Sequence, residues 1–314
     1  MPNQITLDRS DIAFIFPGQG SQAPGMGADL YAGSKAAKRV FDEAGEILGF
    51  KLSKLCFEGP EEELRQTVNA QPAIMTASVA AMEALAEALG DRTRLKYVAG
   101  HSLGEYSALV AARAISFESA LRLVRERGRL MQEAGQVREG AMAAVMGLDE
   151  ASVELLCQQT GAEIANINSD GQIVISGPKQ ALIQAIDLSR AMGAKKAIPL
   201  VVSGAFHSSL MQPAVPGMVE ALRDTHFVAP QVPVISNLTA TPLRTADAIP
   251  PELVQQICRC IQWSRSVEYM SDHGVDTFVE VGPGRVLTGL VKRIAQEAQT
   301  VNVDSLAAVQ AVAA

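Results

Sequence analysis

The most constraining feature of this sequence is a short apolar run that enters a glycine-rich turn and continues at once into a helical pattern. Residues 97–99 are apolar, residues 100–104 read GHSLG, and residues 105–114 have the spacing of a helix. A second apolar run, at 12–16, ends in the turn-forming sequence PGQG at 17–20. Strand, glycine turn and helix form the repeating unit of a parallel α/β sheet, so we expect that fold class.

The middle of the chain has a different order of elements. We predict strands at 141–148, 163–168, 172–176 and 196–202, and helices at 150–160 and 178–192. This βαββαβ order is typical of a ferredoxin-like unit. We therefore expect residues 137–204 to form a ferredoxin-like small subdomain inserted into a large α/β domain made of 1–136 and 205–314. Strands predicted at 232–236 and 277–281 belong to the large domain.

Composition narrows the functional classes. The 314 residues are 48% hydrophobic, which is enough for one large and one small core, and the net charge of −7 argues against a nucleic-acid partner. The alanine-rich stretch 76–89 is interrupted by Glu83 and Glu87, which indicates a soluble helix rather than a membrane span. The N-terminus lacks the order of a signal peptide. We expect a cytoplasmic, monomeric protein without a membrane partner.

Ser102 is the candidate nucleophile, because it occupies the centre of a G-x-S-x-G sequence between a predicted strand and a predicted helix. That context is what a nucleophile elbow requires. The glycines permit the sharp turn, and the helix N-terminus presents free N–H groups where negative charge develops on an oxygen. The sequence therefore predicts acyl transfer or hydrolysis through a serine ester.

A serine hydroxyl needs a base, and the chain has four histidines. His101 adjoins the serine, but neighbouring side chains point different ways, so we expect it to pack beneath the turn. His273 stands at an apparent helix end, where histidine is a normal capping residue, and His226 has no local signal. His207 follows an apolar strand where the small subdomain returns to the large one. It is the favoured base, with an ordinary loop histidine as the alternative, and a backbone carbonyl is the expected group to orient it.

Arg127 lies on the wrong face of its helix. In the helix predicted at 117–132, it is three or four positions from Leu123, Val124, Leu130 and Met131, so it shares their apolar stripe. An interior arginine needs an anionic or hydrogen-bonding partner. Two interpretations remain open: a structural salt bridge, or a guanidinium that grips a substrate carboxylate with two hydrogen bonds.

The loop after the first strand contains Gln19. It lacks the lysine of a phosphate-binding loop and the spacing of a dinucleotide fingerprint. In a serine acyltransferase a loop here can supply an oxyanion donor, either the backbone N–H or the side-chain amide of Gln19. An ordinary strand-to-helix turn is the alternative.

Several segments together resemble the bacterial malonyl-CoA:acyl-carrier-protein transacylases. They are FPGQGSQ at 16–22, QPA at 71–73, GHSLGE at 100–105, Arg127 followed by glycine, GAFHS at 204–208 and EVGPG at 280–284. The resemblance runs from about residue 12 to 295. It implies an α/β-hydrolase-like large domain with a parallel sheet, carrying the ferredoxin-like subdomain.

The resemblance also implies roles. Ser102 is similar to the family's nucleophile and His207 to its base, while Gln19 and the backbone N–H of Leu103 match the oxyanion hole. Arg127 matches the residue that binds the malonyl carboxylate, so the guanidinium should lie about one short diacid from the hydroxyl.

Two further residues are carried over from the family. Gln256 matches a glutamine whose backbone carbonyl orients the histidine, although Gln255 is adjacent and the following residues 258–260 depart from the family pattern. Phe206 resembles malonyl-selective members, because a bulky ring would crowd a methyl branch on the acyl group.

The implied activity is transfer of malonyl from malonyl-CoA to the phosphopantetheine thiol of acyl carrier protein, through a malonyl-serine ester, for fatty acid synthesis. No metal or cofactor is expected. The alternatives are a stand-alone malonyl acyltransferase of a polyketide synthase, an acyl-thioester hydrolase and a non-catalytic module that binds the carrier protein. An interior arginine argues against the hydrolase, and retention of both Ser102 and His207 argues against the module.

Overall fold

The structure is a computed structural model and describes residues 11–90 and 94–314. Its strands are β1 (Ile12–Phe16), β2 (Leu95–Gly100), β3 (Gly140–Met146), β4 (Glu163–Ser169), β5 (Gln172–Pro178), β6 (Lys196–Pro199), β7 (Val234–Ile235), β8 (Pro242–Leu243), β9 (Thr277–Val281) and β10 (Gln299–Val303). Its α-helices are α1 (Ala28–Gly33), α2 (Lys35–Leu48), α3 (Leu52–Glu58), α4 (Glu61–Arg65), α5 (Thr67–Leu89), α6 (Gly104–Ala111), α7 (Phe117–Val137), α8 (Glu150–Thr160), α9 (Lys179–Ala191), α10 (Val215–Arg223), α11 (Ile249–Gln256), α12 (Trp263–Asp272), α13 (Val286–Ile294) and α14 (Leu306–Ala313).

The large sheet has the strand order β10-β9-β1-β2-β7-β8. Its pairs are parallel except for β7 with β8 at one edge. Phe16 at the end of β1 is opposite Gly100 at the end of β2. Because the carboxyl ends of parallel strands share one edge of the sheet, the two glycine turns of the sequence meet there.

Strand β1 shows why this sheet is buried on both faces. Ile12, Phe14 and Phe16 pack into the core beneath α5 and α7, whereas Ala13 and Ile15 pack with Trp263 of α12 and Val291 of α13. Successive side chains of a strand point to opposite faces, so a continuous apolar run requires a helical layer on each side. The expected α/β class with a parallel sheet is confirmed.

The small sheet is antiparallel and has the order β4-β5-β3-β6. Helices α8 and α9 follow β3 and β5, so the chain order is the predicted βαββαβ. Ala143 and Val145 of β3 face these helices, while Met142 on the opposite face packs into the large core. That opposite face therefore forms one wall of the space between the two sheets.

Several predicted elements differ in length, β6, β7 and α7 among them. Strand β6 ends at Pro199 instead of residue 202, and the following residues line the cleft. Strand β7 is limited to Val234–Ile235 instead of 232–236, and a proline precedes it. Helix α7 continues to Val137, beyond the predicted end at 132.

Helix α5 is the one described helix that is long and apolar enough to cross a membrane by length and composition. In the structure, 72% of its most apolar window is buried inside the protein. A core helix of a globular fold has the same character, and α5 packs against α2 and α7.

Candidate active site

Ser102 stands in a strained turn between β2 and α6. Its φ is 52°, in the left-handed region that residues with a side chain seldom adopt. A Cβ on Gly100 would lie 1.9 Å from the backbone of Gly104, and one on Gly104 would lie 2.1 Å from the carbonyl oxygen of Phe16. Only glycine lets the helix approach the strands so closely, which is why the G-x-S-x-G spacing builds an elbow here.

His207 is in direct contact with the serine. Its Nε2 is 2.8 Å from the Oγ of Ser102, and its Nδ1 is 2.7 Å from the backbone carbonyl oxygen of Gln256. Since a carbonyl only accepts, Nδ1 carries the proton and Nε2 presents its lone pair to the hydroxyl. His207 also has a positive φ, of 57°. The pair has the geometry of a nucleophile with its general base.

None of the other three histidines is hydrogen-bonded to the hydroxyl of Ser102. His101 contacts the Oδ1 of Asn168 through Nε2 at 2.9 Å and packs near Trp263, so its ring points away from the serine hydroxyl. His273 ends α12 and donates from Nδ1 to a backbone carbonyl, and His226 is exposed. The prediction that His273 caps a helix is confirmed, whereas His101 is half-buried and lines the same cleft as Ser102 instead of packing beneath the turn.

Burial keeps the His207 base neutral. Desolvation first, and the nearby charge of Arg127 second, lower the pKa of His207 to about 3 from its ordinary 6.5. The neutral imidazole is the form that accepts a proton. The site therefore holds its base in the neutral form near pH 7.

We expect the pH profile of acylation to reflect this shift. Because the pKa of His207 lies near 3, below the ordinary 6.5, the basic form persists as pH falls, and kcat/KM should stay flat from about pH 5 to 8. The measurement is the rate of adduct formation on Ser102 by rapid quench and intact mass. An inflection between about pH 6 and 7 that is absent from the stability profile would contradict the assignment.

Gln19 and Leu103 border the serine from two loops. The side-chain Nε2 of Gln19 donates to the Oγ1 of Thr67 at 3.2 Å, which leaves its backbone N–H as the oxyanion candidate. Leu103 is the N-cap residue of α6, and the backbone N–H groups of Gln19 and Leu103 have no acceptor among the described residues. A Cβ on Gly18 would lie 2.5 Å from the carbonyl oxygen of His101, so the first loop runs against the elbow. The two N–H groups fit the donors that a developing oxyanion needs.

Arg127 is 1% exposed, as its position on the apolar stripe predicts. Its Nη1 donates to the Oε1 of Gln71 at 2.8 Å, and its Nη2 donates to the Oε1 of Gln256 at 2.7 Å and to the Oγ of Ser102 at 3.1 Å. Its Nε is buried without a partner, and within 11–90 and 94–314 no carboxylate forms an ion pair with it. The structural salt bridge is therefore not what the described residues form.

The distance between guanidinium and hydroxyl differs from the expectation of one short diacid. The two groups are in hydrogen-bonding contact, because a buried guanidinium donor uses the hydroxyl oxygen as an acceptor. A carboxylate bound to the guanidinium would take over this donor. The same arginine therefore touches the nucleophile and keeps its guanidinium free of a direct carboxylate contact.

A cavity of about 310 Å³ opens onto Ser102, His207 and Arg127. Apolar side chains from the small sheet, from α7 and from the segment after β6 line it: Met131, Met142, Val174, Leu200, Val202 and Phe206. Phe206 is 5% exposed and directly precedes the base. An apolar lining of this kind limits the access of water to an ester on the serine.

Sequence reasoning missed Asn237. Its Oδ1 accepts from the N–H of Ser102 at 2.7 Å, and its Nδ2 donates to the carbonyl of Gly100 at 2.7 Å, so it clamps the elbow from both sides. The available signal was its place just after the predicted strand at 232–236, at the carboxyl edge of the sheet. Sequence reasoning also gave no role to Gln71, which it named only as part of the motif at 71–73. The signal that could have identified it is a polar amide at a buried position of the apolar helix α5.

Comparison with known proteins identifies a matching family and a similar curated relative. The acyl transferase domain family matches residues 13–310. The malonyl CoA-acyl carrier protein transacylase of Bacillus subtilis (strain 168) is 46% identical over 94% of this chain and 93% of its own length.

Two solved structures are also similar. An acyl carrier protein S-malonyltransferase from Vibrio cholerae superposes with a TM-score of 0.93 at 43% identity, covering 96% of this chain and 100% of the other. A malonyl-transacylase in complex with a type II PKS acyl-carrier protein superposes with a TM-score of 0.92 at 43% identity, covering 96% of this chain and 99% of the other.

Proposed function

This chain belongs to the acyl transferase domain family and, within it, to the malonyl-CoA:acyl-carrier-protein transacylases, and from that premise we propose that it moves malonyl from malonyl-CoA to acyl carrier protein through an ester on Ser102. The proposal rests on the two contacts that the hydroxyl oxygen of Ser102 makes. The Oγ of Ser102 contacts the base His207 at 2.8 Å and the buried cation Arg127 at 3.1 Å. The two contacts suit an acyl group that ends in a carboxylate.

The first half-reaction makes the ester. The Oγ of Ser102 attacks the thioester carbonyl while its proton passes to Nε2 of His207. The backbone N–H groups of Gln19 and Leu103 stabilise the oxyanion of the tetrahedral intermediate. The carbon–sulfur bond then breaks, and coenzyme A leaves as a thiol with the proton held by His207.

The second half-reaction uses the same groups in reverse. The phosphopantetheine thiol of acyl carrier protein gives its proton to His207 and attacks the ester carbonyl. The intermediate collapses to a malonyl thioester, and the Oγ of Ser102 takes back a proton from His207. Gln256, whose backbone carbonyl accepts from Nδ1 at 2.7 Å, keeps the ring aligned in both halves. Gln255 is exposed and does not suit this role.

Arg127 binds the free carboxylate of the malonyl group in both half-reactions. A guanidinium holds a carboxylate with two hydrogen bonds, which orders the acyl chain across the serine. A general thioester hydrolase has no use for such a cation, so Arg127 favours malonyl transfer over hydrolysis. The fatty acid pathway is the proposed use; the polyketide carrier in one solved relative keeps the polyketide alternative testable with both carriers.

Phe206 restricts the acyl group to an unbranched malonyl. We expect methylmalonyl-CoA to load at least about tenfold more slowly than malonyl-CoA, because one extra methyl in a filled pocket changes transition-state binding by about 1–3 kcal/mol. Phe206→Ser should narrow the gap, whereas Met142→Ala, an apolar truncation across the cavity, should not. Comparable kcat/KM values for both thioesters in the parent protein would exclude this role.

The finer description of the fold is part of the proposal. We assign 1–136 and 205–314 to an α/β-hydrolase-like domain and 137–204 to a ferredoxin-like subdomain, supported by the parallel sheet and the small antiparallel one. We also propose a cytoplasmic monomer without nucleic-acid or membrane partners. Light scattering after size-exclusion chromatography tests the monomer, and a dimer mass would reject it.

The experiment for the whole proposal is intact mass spectrometry in two steps. Mixing with malonyl-CoA should add one malonyl group to the protein, and later addition of holo acyl carrier protein should remove it and raise the mass of the carrier. A protein that only hydrolyses malonyl-CoA, or never gains the adduct, would reject the transferase assignment.

A further inference from the structure

Two buried carboxyl groups stand behind the active site and take no part in the mechanism above. Glu105, in the first turn of α6, is fully buried, and Glu252 of α11 is 6% exposed. Their carboxyl groups interact electrostatically. Neither lines the cavity over Ser102. A pair of buried acids lowers the stability of the fold unless hydrogen bonds or a nearby positive charge compensate for the burial.

The two carboxyl groups disfavour each other's ionisation. Burial first, and mutual repulsion second, raise the pKa of Glu105, and burial raises that of Glu252. Surrounding donors hydrogen-bond to both groups: the N–H of Asn237 to Glu105 at 2.9 Å, and the Oγ of Ser236 and the N–H of Leu238 to Glu252 at 2.8 and 3.0 Å.

Gln256 connects this pair to the active site. Its Nε2 donates to the Oε2 of Glu105 at 2.5 Å and to the carbonyl of Ser102 at 3.0 Å, and its Oε1 accepts from Nη2 of Arg127 at 2.7 Å. A carbonyl only accepts and a guanidinium only donates, so the amide has one permitted orientation. Both amide hydrogens and the amide oxygen of Gln256 therefore have hydrogen-bond partners.

This arrangement satisfies two opposing requirements of Arg127. A buried guanidinium needs a counter-charge, yet a carboxylate placed directly on it would compete with the carboxylate of the substrate. Glu105 lies one amide away and adds to the electrostatic stabilisation of Arg127 without touching it. The Nε of Arg127 stays without a protein partner, and no carboxylate in the described parts of the chain covers the guanidinium.

We propose that Glu105, backed by Glu252, is a positioning residue for malonyl recognition: it fixes the amide of Gln256 and, through that amide, the guanidinium of Arg127. This inference rests on the proposed function. Glu105 accepts from two donors at once, the N–H of Asn237 and the amide of Gln256. A glutamine at 105 has one oxygen. The backbone N–H of Asn237 keeps that oxygen, so the NH2 group of the new glutamine faces the side-chain amide of Gln256 and displaces it.

The test compares loading of malonyl and of acetyl on Ser102 from their coenzyme A thioesters, measured as kcat/KM by intact mass. Glu105→Gln should lower the malonyl-to-acetyl ratio about 10- to 100-fold, the range for one misplaced hydrogen bond to a charged group. Acetyl loading should change by less than about threefold, because acetyl has no carboxylate for Arg127. Equal losses for both thioesters would overturn the proposal.

Two further variants separate positioning from folding. Glu280→Gln neutralises another fully buried carboxyl, which caps α13 through Leu287 and Thr288, and should lower the melting temperature without changing the ratio. Gln256→Ala keeps the backbone carbonyl that holds His207 but removes the connecting amide, so it should lower the ratio by itself. In that background Glu105→Gln should add less than about threefold.

These variants give an answer even if Glu105→Gln does not fold. A Gln256→Ala protein with the parent ratio would overturn the proposal, and so would a full Glu105→Gln effect in the Gln256→Ala background. The parent protein is the internal reference. If it forms no malonyl adduct, the proposed function fails; if it does and the ratios are unchanged, only the positioning role fails.

Discussion

Ser102→Ala is expected to eliminate the malonyl adduct and to lower malonyl transfer at least about 10⁴-fold, because it removes the hydroxyl that forms the acyl-enzyme. The nearby hydroxyl groups are poor substitutes. The Oγ of Ser102 is the one hydroxyl among the described residues that contacts the Nε2 of His207. The variant keeps the oxyanion donors and still binds substrate. We therefore expect a low residual rate of thioester cleavage that does not pass through a covalent intermediate.

Ser107→Ala provides the matched control for this experiment. Ser107 lies in the same helix, α6, and is fully buried, and its hydroxyl has no hydrogen-bond partner within the described chain. Removing that hydroxyl should leave adduct formation and the far-UV spectrum unchanged. A malonyl adduct that persists in Ser102→Ala, located by peptide mapping on another residue, would show that the nucleophile is misassigned.

Arg127→Ala is expected to lower malonyl loading about 10²- to 10⁴-fold, which corresponds to the loss of two hydrogen bonds between a guanidinium and a carboxylate. Acetyl loading should fall much less. Some loss of stability will accompany the change, because Gln71 and Gln256 lose the donor that they share and a cavity remains. The measurement is the ratio of kcat/KM for the two thioesters, with melting curves alongside.

Two variants on the same helix separate recognition from stability. Arg127→Lys keeps the charge but not the planar pair of donors, so malonyl loading should recover only in part. Arg125→Ala removes an arginine that bonds to Val68 and Asn69 away from the cavity, and it should alter stability without altering the ratio. Equal loss of both thioesters in Arg127→Ala, with a collapsed far-UV spectrum, would favour a purely structural arginine.

Local patterns were sufficient to predict much of the scaffold. Ile12–Phe16, Glu150–Thr160 and Thr277–Val281 begin and end as predicted, because apolar runs and helical spacing act over a few residues. The elbow at Ser102 and the burial of Arg127 were accessible for the same reason. Glycine spacing determines the turn, and helical periodicity determines which face of α7 is buried.

The choice between neighbouring glutamines needed the structure. Gln255 is exposed and Gln256 is fully buried, since successive residues of a helix are rotated by about 100° and only one of them can face the serine. The sequence around them carries no signal for that rotation, because α11 has just eight residues and starts with two prolines near its first turn.

By itself, then, the sequence determined the α/β scaffold, the strained serine and the arginine on an apolar face, all of which depend on neighbours within about two helical turns. Only the tertiary structure decided which histidine meets the serine and what surrounds the arginine. Those contacts join residues 105 and 129 positions apart, such as Ser102 with His207 and Arg127 with Gln256. Sheet and helix packing brings such groups together, and no local spacing encodes that distance.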